Sequence, residues 1–351
     1  MWGTGYYGFL FDYLLFWLLF ASLILHTLCF FRRIRRHRLQ RVGLVAGNLL
    51  VTLCLLAGAF LIAETYLRFV SSETDSYGVT LTAKRWFAVY PKLNSLLYRD
   101  REWTPEKPPH VRRVAFVGDS FTYGWGINDA ADRFTDLLQT RFKMEKQGNV
   151  EVMNVAWVGW DTREEAKAIE QMINEYAVDE VVLCYLPNDI DPLLPVRPGF
   201  DPAKVPKCLW LRTDSSFLLD FLYYRIYARY TAGVVGYFDW LMDGFYAPDS
   251  WREHQGDLGT IITLCREHEV ILRVALLPFL RTPGRRYLAS DIHDRLAEFF
   301  RRNKIPVVDL LPTIQGYGSK ALVVNSHDGH PNEQANLLFA EAIWQAFYAG
   351  Q

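Results

Sequence analysis

The sequence predicts an α/β domain with a parallel sheet, preceded by a hairpin of two transmembrane helices. Strand-length apolar segments alternate with helix-length segments between residues 111 and 351. Strands this apolar, separated by helices, are typical of a parallel sheet covered on both faces. Nearer the N-terminus, residues 13–31 and 42–63 contain no Asp, Glu, Lys or Arg. The formal net charge of −1 lacks the basic excess of a nucleic-acid-binding protein, so we expect no nucleic-acid partner.

The two uncharged segments predict the hairpin, which we assign to residues 1–70. Each segment reaches the roughly 20 residues that a helix needs to cross a bilayer. The loop between them, residues 32–41, contains six arginines: Arg32, Arg33, Arg35, Arg36, Arg38 and Arg41. The positive-inside rule puts this loop in the cytoplasm and everything after about residue 63 on the outer, periplasmic side of a bacterial inner membrane. A cleaved signal peptide is one alternative, but the first 13 residues supply no positive segment. A second alternative is cleavage after residues 57–59 of the second segment, although two retained spans fit the sequence better.

The outer part of the chain follows in a regular order. A polar connector, residues 71–110, leads into a domain over residues 111–351. Apolar runs predict strands at 111–118, 150–158, 179–186, 270–278 and 305–311. Helices are predicted at 132–146, 162–177 with Asp161 as its cap, 256–269, 289–303 and from about Pro331 to Ala349 with proline in the first turn. The alternation predicts a three-layer α/β/α domain.

An aromatic-rich insertion, about residues 190–255, interrupts this order. Aromatic residues at helical spacing usually belong to a core, so we expect a buried helical insertion. A lid, a groove wall or a helix resting on the membrane are the alternatives. Asp220, Arg225 and Arg229 argue against a third span. The five cysteines show no zinc spacing, and a Cys208–Cys265 disulfide stays open.

Polar signals follow the strands at the ends that meet at one edge of the sheet. The first strand ends in "GDSFTYG", the second in "NVAWVGWDT" and the third in "YLPNDI", and "NSHDGHPNEQAN" precedes the last helix. A serine, an asparagine or a glycine in such a loop is usually simple turn chemistry. Four such blocks together predict a site, because ligands of open parallel sheets bind at that edge.

By these blocks the chain resembles the SGNH hydrolases, also called the GDSL esterases and lipases. The signature residues of that family fall here on Ser120, Gly159, Asn188 and His330. The resemblance implies a flavodoxin-like α/β/α fold, with Ser120 as nucleophile and His330 as its general base. It also implies an oxyanion hole made by the backbone N–H groups of Ser120 and Gly159 and the side-chain amide of Asn188. A serine hydroxyl needs such a base, and a developing oxyanion needs such donors.

The carboxylate that should orient His330 departs from the common pattern of the family. The family usually has Asp three residues before the histidine, where this chain has His327; the nearest acid is Asp328. We predict that Asp328 orients His330, with Gly329 supplying a turn between them. The alternative is that a backbone carbonyl holds His330 while Asp328 faces solvent. No distant residue is signalled as a further ligand that would complete a metal site with His327, Asp328 and His330, so we predict no metal and no cofactor.

Three functions are compatible with these residues. The first is a membrane-anchored serine esterase that removes acyl groups, most simply acetyl, from an envelope or extracellular carbohydrate, with lipid esters as the other substrate class. The second is an O-acyltransferase that uses the same acyl-serine chemistry beside a membrane-bound O-acyltransferase partner; an aromatic-lined acceptor groove over residues 210–251 would favour it. The third is a non-catalytic envelope binding protein that retains the fold.

Overall fold

The structure is a computed structural model that describes residues 10–37, 42–145, 149–194, 215–231, 235–281, 289–318 and 320–350. In chain order, its helices and strands are α1 (Leu10–His37), α2 (Val42–Phe69), α3 (Leu81–Val89), β1 (Val111–Gly118), α4 (Ser120–Tyr123), α5 (Phe134–Met144), β2 (Asn149–Ala156), α6 (Thr162–Tyr176), β3 (Glu180–Tyr185), α7 (Phe217–Tyr230), α8 (Tyr237–Tyr246), α9 (Pro248–Glu267), β4 (Ile271–Leu276), α10 (Ser290–Arg302), β5 (Val307–Asp309), β6 (Val323–Asn325), β7 (Asp328–Pro331) and α11 (Glu333–Phe347). Short 3₁₀ turns cover Ala130–Asp132, Pro187–Leu193 and Leu311–Ile314.

The chain divides into two compact units. Unit 1 comprises residues 1–89 and 201–230, and unit 2 comprises residues 90–200 and 231–351. This differs from the linear division expected from the sequence in two ways. Residues 90–110 of the expected connector belong to unit 2, and the part of the aromatic-rich insertion that forms α7 belongs to unit 1.

Unit 1 contains two helices long and apolar enough to cross a membrane. Residues 10–35 and 43–69 have a mean hydropathy of 2.3, and most of their side chains are exposed. Within the described residues these are the two such helices; they contain the predicted span 13–31 and all but the first residue of the predicted span 42–63. The arginine-rich segment is helical through His37, where a loop was expected, and residues 38–41 lie outside the described residues. The two helices suggest membrane association.

Unit 2 is built on a five-stranded parallel sheet in the order β2-β1-β3-β4-β5, which confirms the predicted fold class. All five predicted strands are present, each shifted by no more than a few residues. In register, Gly118 at the end of β1 lies beside Ala156 of β2 and Cys184 of β3. The chain leaves β1 for β2 on one side and then returns to β3 on the other. The carboxyl ends of β1 and β3 therefore form the topological switch point where such sheets bind ligands.

Helices cover the sheet on both faces. Right-handed crossovers put α5 on one face and α6, α9 and α10 on the other. On the first face α5 packs against α11, where the rings of Phe142 and Trp344 are 5.0 Å apart. On the second face α6 is tied to α9 by Arg163, which binds Glu253 and Asp257. The Asp161 cap predicted for α6 is confirmed and forms a capping box with Glu164.

Two sequence-based expectations about helices are wrong in detail. Pro331 ends β7, and Asn332 caps α11 by accepting a hydrogen bond from Ala335 N–H, so proline is not in the first turn. The insertion was expected to be buried. This holds for α8, where Leu241 and Phe245 are fully buried, but it is wrong for α7, which exposes apolar side chains. Cys208 lies outside the described residues, while Cys265 is a free, buried cysteine.

Candidate active site

Ser120 is the first residue of α4, directly after β1. Gly118 ends the strand where no side chain fits, because an added Cβ would lie 2.3 Å from Thr122 Oγ1 and 2.9 Å from the Cys184 carbonyl oxygen. Asp119 then caps the short helix by accepting a hydrogen bond from Phe121 N–H at 2.9 Å. The three residues of the "GDS" block thus turn the chain sharply, and this turn directs the Ser120 hydroxyl to the carboxyl edge of the sheet.

The structure brings Ser120, His330 and Asp328 into one hydrogen-bonded chain. Ser120 Oγ lies 2.8 Å from His330 Nε2, and His330 Nδ1 lies 2.5 Å from Asp328 Oδ1. A carboxylate only accepts hydrogen bonds, so Nδ1 carries the proton and Nε2 accepts from the serine hydroxyl. Ser120 Oγ is also 3.4 Å from Asp119 Oδ2, a longer contact than the one to His330. This is the arrangement in which an imidazole withdraws a serine proton.

Strand periodicity, not a glycine turn, brings Asp328 to His330. Residues 328–331 form β7, and Gly329 is not among the glycines with positive φ. Alternate residues of a strand lie on the same face, so residues 328 and 330 face the same way. Asp328 is fully buried and also accepts the backbone N–H of His330 at 3.1 Å. The expected turn at Gly329 is therefore wrong, and the alternative in which Asp328 faces solvent is wrong as well.

The two other predicted oxyanion-hole residues follow β3 and β2. Asn188 Nδ2 lies 3.5 Å from Asp119 Oδ2, so the amide reaches the "GDS" turn, and its Oδ1 has no hydrogen-bond partner among the described residues. Gly159 follows β2 with φ +78°, a conformation that other residues adopt at a cost. A Cβ there would meet no atom within 4 Å, so the space beside this glycine is open. Their roles as donors stay a prediction.

Three buried carboxyl groups lie beside this turn: Asp119, Glu165 and Asp189. Burial, followed by the charge of Asp119, raises the pKa of Glu165 well above its usual range. Burial, followed by the charge of Glu165, raises the pKa of Asp189 in the same direction. Neither carboxylate oxygen of Glu165 has a hydrogen-bond partner among the described residues. A buried, unpaired carboxylate is costly, so we expect Glu165 to be protonated and neutral.

One of these carboxyl groups stabilises the turn that carries Asn188. Within the described residues, no group of three or more His, Cys, Asp or Glu side chains is arranged to hold a metal ion. Asp189 Oδ2 instead accepts Leu186 N–H at 2.8 Å, which fixes the turn that carries Asn188. The sequence does not reveal Glu165 as a member of this cluster, because position 165 resembles any charged residue in the first turn of a helix.

Arg99 is a second residue that sequence reasoning missed. Its buried guanidinium donates to the carbonyl oxygens of Gly124 and Ile127, each at 2.7 Å. Burial, followed by the nearby charge of Arg133, lowers its pKa to about 10. Arg99 thus supports the loop that follows Ser120, from a segment that the sequence assigned to a connector.

A profile of the GDSL-like lipase/acylhydrolase family matches residues 116–338, from within β1 to within α11. The match covers more than half of the 351 residues and contains Ser120, Gly159, Asn188, Asp328 and His330. The chain belongs to this family. It is accordingly a GDSL-type serine hydrolase that acts on ester bonds. No curated protein gives a significant match over the chain.

Solved structures resemble the GDSL domain in fold. TesA is 17% identical with a TM-score of 0.42, covering 68% of this chain and 99% of that chain. The psychrotrophic esterase EstA from Pseudoalteromonas sp. is 12% identical with a TM-score of 0.42, covering 68% of this chain and 97% of that chain. A catalytic mutant of Axe2, an acetylxylan esterase from Geobacillus stearothermophilus, is 11% identical with a TM-score of 0.42, covering 67% of this chain and 93% of that chain. At these identities the likeness concerns the fold alone.

Proposed function

We propose that this GDSL hydrolase is a membrane-anchored esterase that removes O-acetyl groups from a carbohydrate of the cell envelope through Ser120, His330 and Asp328. The observation that carries the proposal is the hydrogen-bonded chain from Ser120 Oγ to His330 Nε2 at 2.8 Å and from His330 Nδ1 to Asp328 at 2.5 Å. A binding protein that merely kept the fold would have no need of this alignment.

The first half of the reaction forms an acyl-enzyme. As Ser120 Oγ bonds to the ester carbonyl carbon, its proton passes to His330 Nε2, and the carbonyl oxygen becomes an oxyanion. The backbone N–H groups of Ser120 and Gly159 and the amide of Asn188 donate to that oxyanion. Asp328 stabilises the imidazolium that forms. His330 then gives the proton to the leaving sugar oxygen as the carbon–oxygen bond of the ester breaks.

The second half releases the acyl group. A water molecule gives a proton to His330 Nε2 and attacks the acyl-Ser120 carbonyl carbon, and the collapse of that intermediate returns the proton to Ser120 Oγ. If a sugar hydroxyl replaces the water, the same steps transfer the acyl group. Residues 210–214 and 232–234 of the expected acceptor groove lie outside the described residues. Hydrolysis is the simpler proposal because water needs no acceptor site of its own.

The surroundings of Ser120 favour a short acyl group. Ser120 is only 8% exposed, and the rings of Phe121 and Trp125 lie 5.3 and 6.3 Å from the His330 ring. Both aromatic side chains are buried beside the imidazole that contacts the nucleophile. Such a site accepts an acetyl group more readily than a long acyl chain.

The hairpin supports a substrate at the membrane surface. Arg32, Arg33 and Arg35 are exposed at the end of α1, between the two apolar helices. By the positive-inside rule, this end lies in the cytoplasm, and the GDSL domain that follows α2 lies on the periplasmic side of the inner membrane. An envelope glycan is within reach of an enzyme held there.

The proposal is tested by measuring acetate release from acetylated oligosaccharides by the full chain in detergent, with Ser120→Ala and Ser290→Ala beside it. Ser290 is the matched control because it also begins a helix of unit 2. We expect release by the wild type and by Ser290→Ala, and loss of release in Ser120→Ala. If the enzyme instead moves acetyl groups to an added unacetylated oligosaccharide and releases no free acetate, the reaction is acyl transfer rather than hydrolysis. Equal, background-level release from wild type and Ser120→Ala would overturn the proposal.

A further inference from the structure

Helix α7 is anchored at its N-terminus to the end of the second apolar helix. Glu64 of α2 accepts hydrogen bonds from the N–H groups of Phe217 and Leu218 at 3.0 and 2.9 Å, and from Ser216 Oγ at 2.8 Å. Arg68, one turn later, donates to Glu64 at 2.7 Å. The Glu64 carboxylate thus caps α7 and is buried.

The contacts of Arg68 strengthen this anchor. Its guanidinium donates to the Ser215 carbonyl oxygen at 2.7 Å and lies 4.7 Å from the centre of the Phe217 ring. Farther along α7, Asp220 Oδ2 accepts Leu81 N–H of α3 at 2.7 Å. Helix α7 is therefore held at a fixed place in unit 1, where α2 ends.

The face of α7 opposite its packed side is apolar. Phe217 and Tyr224 are buried on the packed side. Leu222, Ile226 and Tyr230 are 47%, 61% and 74% exposed. Their spacing of four residues puts them on a single face of the helix. A helix on a water-facing surface carries polar residues at such positions, so this face is suited to an apolar environment.

Arginines flank this apolar face along one side. Arg225 and Arg229 each precede an exposed apolar residue by one position, and both are exposed. The Arg225 guanidinium lies 3.8 Å from the centre of the Phe221 ring. Two cations one turn apart beside an apolar face match the boundary between lipid phosphates and acyl chains.

We propose that α7 lies along the surface of an anionic lipid bilayer, with Leu222, Ile226 and Tyr230 inserted below the headgroups and Arg225 and Arg229 bound to lipid phosphates. The membrane, rather than another protein, is the occupant because α7 starts where α2 ends. Tyr66 and Phe69 at that end of α2, and Val70 directly after it, are exposed apolar side chains, so the apolar surface of the hairpin extends along the chain as far as the Glu64–Arg68 anchor of α7. The proposal rests on the membrane crossing proposed above.

The experiment is photocrosslinking of the full chain in vesicles of phosphatidylcholine and phosphatidylglycerol, with p-benzoylphenylalanine at position 226, at position 49 or at position 337. Leu49 is an exposed residue of α2, and Leu337 is an exposed leucine of α11 in unit 2. We expect lipid adducts from Ile226→p-benzoylphenylalanine at a yield close to that of the Leu49 variant and at least about tenfold above that of the Leu337 variant.

The three positions separate the possible failures. Lipid adducts at position 49 but none above the Leu337 level at position 226 would overturn the α7 proposal and leave the membrane crossing intact. The lack of lipid adducts at both position 49 and position 226 would overturn the membrane crossing and the α7 proposal together. Adducts at position 226 to protein instead of lipid would overturn the lipid assignment.

The arginines provide a second measurement. With the crosslinker at position 226, Arg225→Gln together with Arg229→Gln should lower the lipid-adduct yield several-fold in vesicles that contain phosphatidylglycerol. In pure phosphatidylcholine the same pair should have little effect, because no net lipid charge is present. An equal effect in both vesicles would overturn the role of the two arginines.

Discussion

Replacing Asp328 by asparagine tests the charge that supports His330. The change keeps the size of the side chain and an oxygen that can accept from His330, but it removes the negative charge. Asp328 is fully buried, and its Oδ1 lies 2.5 Å from His330 Nδ1. Because the site excludes water, the lost attraction for the imidazolium is not replaced by solvent. We therefore expect slower turnover with the fold intact.

The size of the effect follows from the contact distance. Contact atoms 2.5 Å apart correspond to charge centres about 4 Å apart. At an effective dielectric constant of about 20, two unit charges at about 4 Å attract by roughly 4 kcal/mol. Since about 1.36 kcal/mol is tenfold in rate, we expect kcat on p-nitrophenyl acetate to fall by roughly 10³-fold. KM should change little, because the charge matters when the imidazolium forms.

The structure offers a matched control for this substitution. Asp309 makes the same kind of contact, with its Oδ1 2.7 Å from His293 Nδ1, at the end of β5. Asp309→Asn removes an equivalent charge from a histidine that does not contact Ser120, so kcat should stay within about twofold of the wild type. The reasoning is refuted if Asp328→Asn keeps more than a tenth of wild-type kcat, or if Asp309→Asn loses as much as Asp328→Asn.

Three further predictions concern the surroundings of the nucleophile. Asn188→Ala should lower kcat on p-nitrophenyl acetate by about 10²- to 10³-fold with little change in KM, because it removes one donor to the oxyanion. An unchanged kcat in this variant would show that Asn188 is not an oxyanion-hole donor. Arg99→Met should leave the carbonyl groups of Gly124 and Ile127 without a partner and lower the free energy of unfolding by about 2 to 4 kcal/mol in urea titrations; a loss under about 0.5 kcal/mol would contradict the supporting role of Arg99. The pKa of Glu165 is raised in the folded protein, so its contribution to the stability of the fold is complete below the usual carboxyl pKa of about 4.3 and is lost as the pH rises toward the raised value. Glu165→Gln should therefore flatten the fall of Tm between pH 5 and pH 8. An unchanged slope of Tm against pH in the variant would show that Glu165 is ionised throughout.

The sequence was most informative where local pattern determines structure. The apolar strands, the Asp161 cap and the polar blocks after the strands all depend on neighbours in sequence. The fold class could therefore be predicted from pattern, and the resemblance of the polar blocks to the GDSL hydrolases indicated Ser120 and His330. The period of two along β7 also lies in the sequence, but a segment of four residues is too short to reveal a strand.

The features that the sequence did not reveal depend on contacts between distant residues. Glu64 caps a helix whose first residue, Phe217, lies 153 residues later in the chain. Arg99 supports a loop 25 residues away, and nothing in its own segment marks it as part of the domain. Glu165 occupies an ordinary first-turn position, and only the folded sheet brings it next to Asp119 and Asp189.

The most direct test of the central claim is labelling of the full chain with a fluorophosphonate, followed by mass spectrometry of the modified peptide. The reagent reacts with a serine whose proton is withdrawn by a neighbouring base. We expect one adduct on Ser120 in the wild type, no adduct in Ser120→Ala, and much slower labelling in His330→Ala. An adduct on another serine, or equal labelling of wild type and Ser120→Ala, would contradict the assignment of Ser120 as the nucleophile.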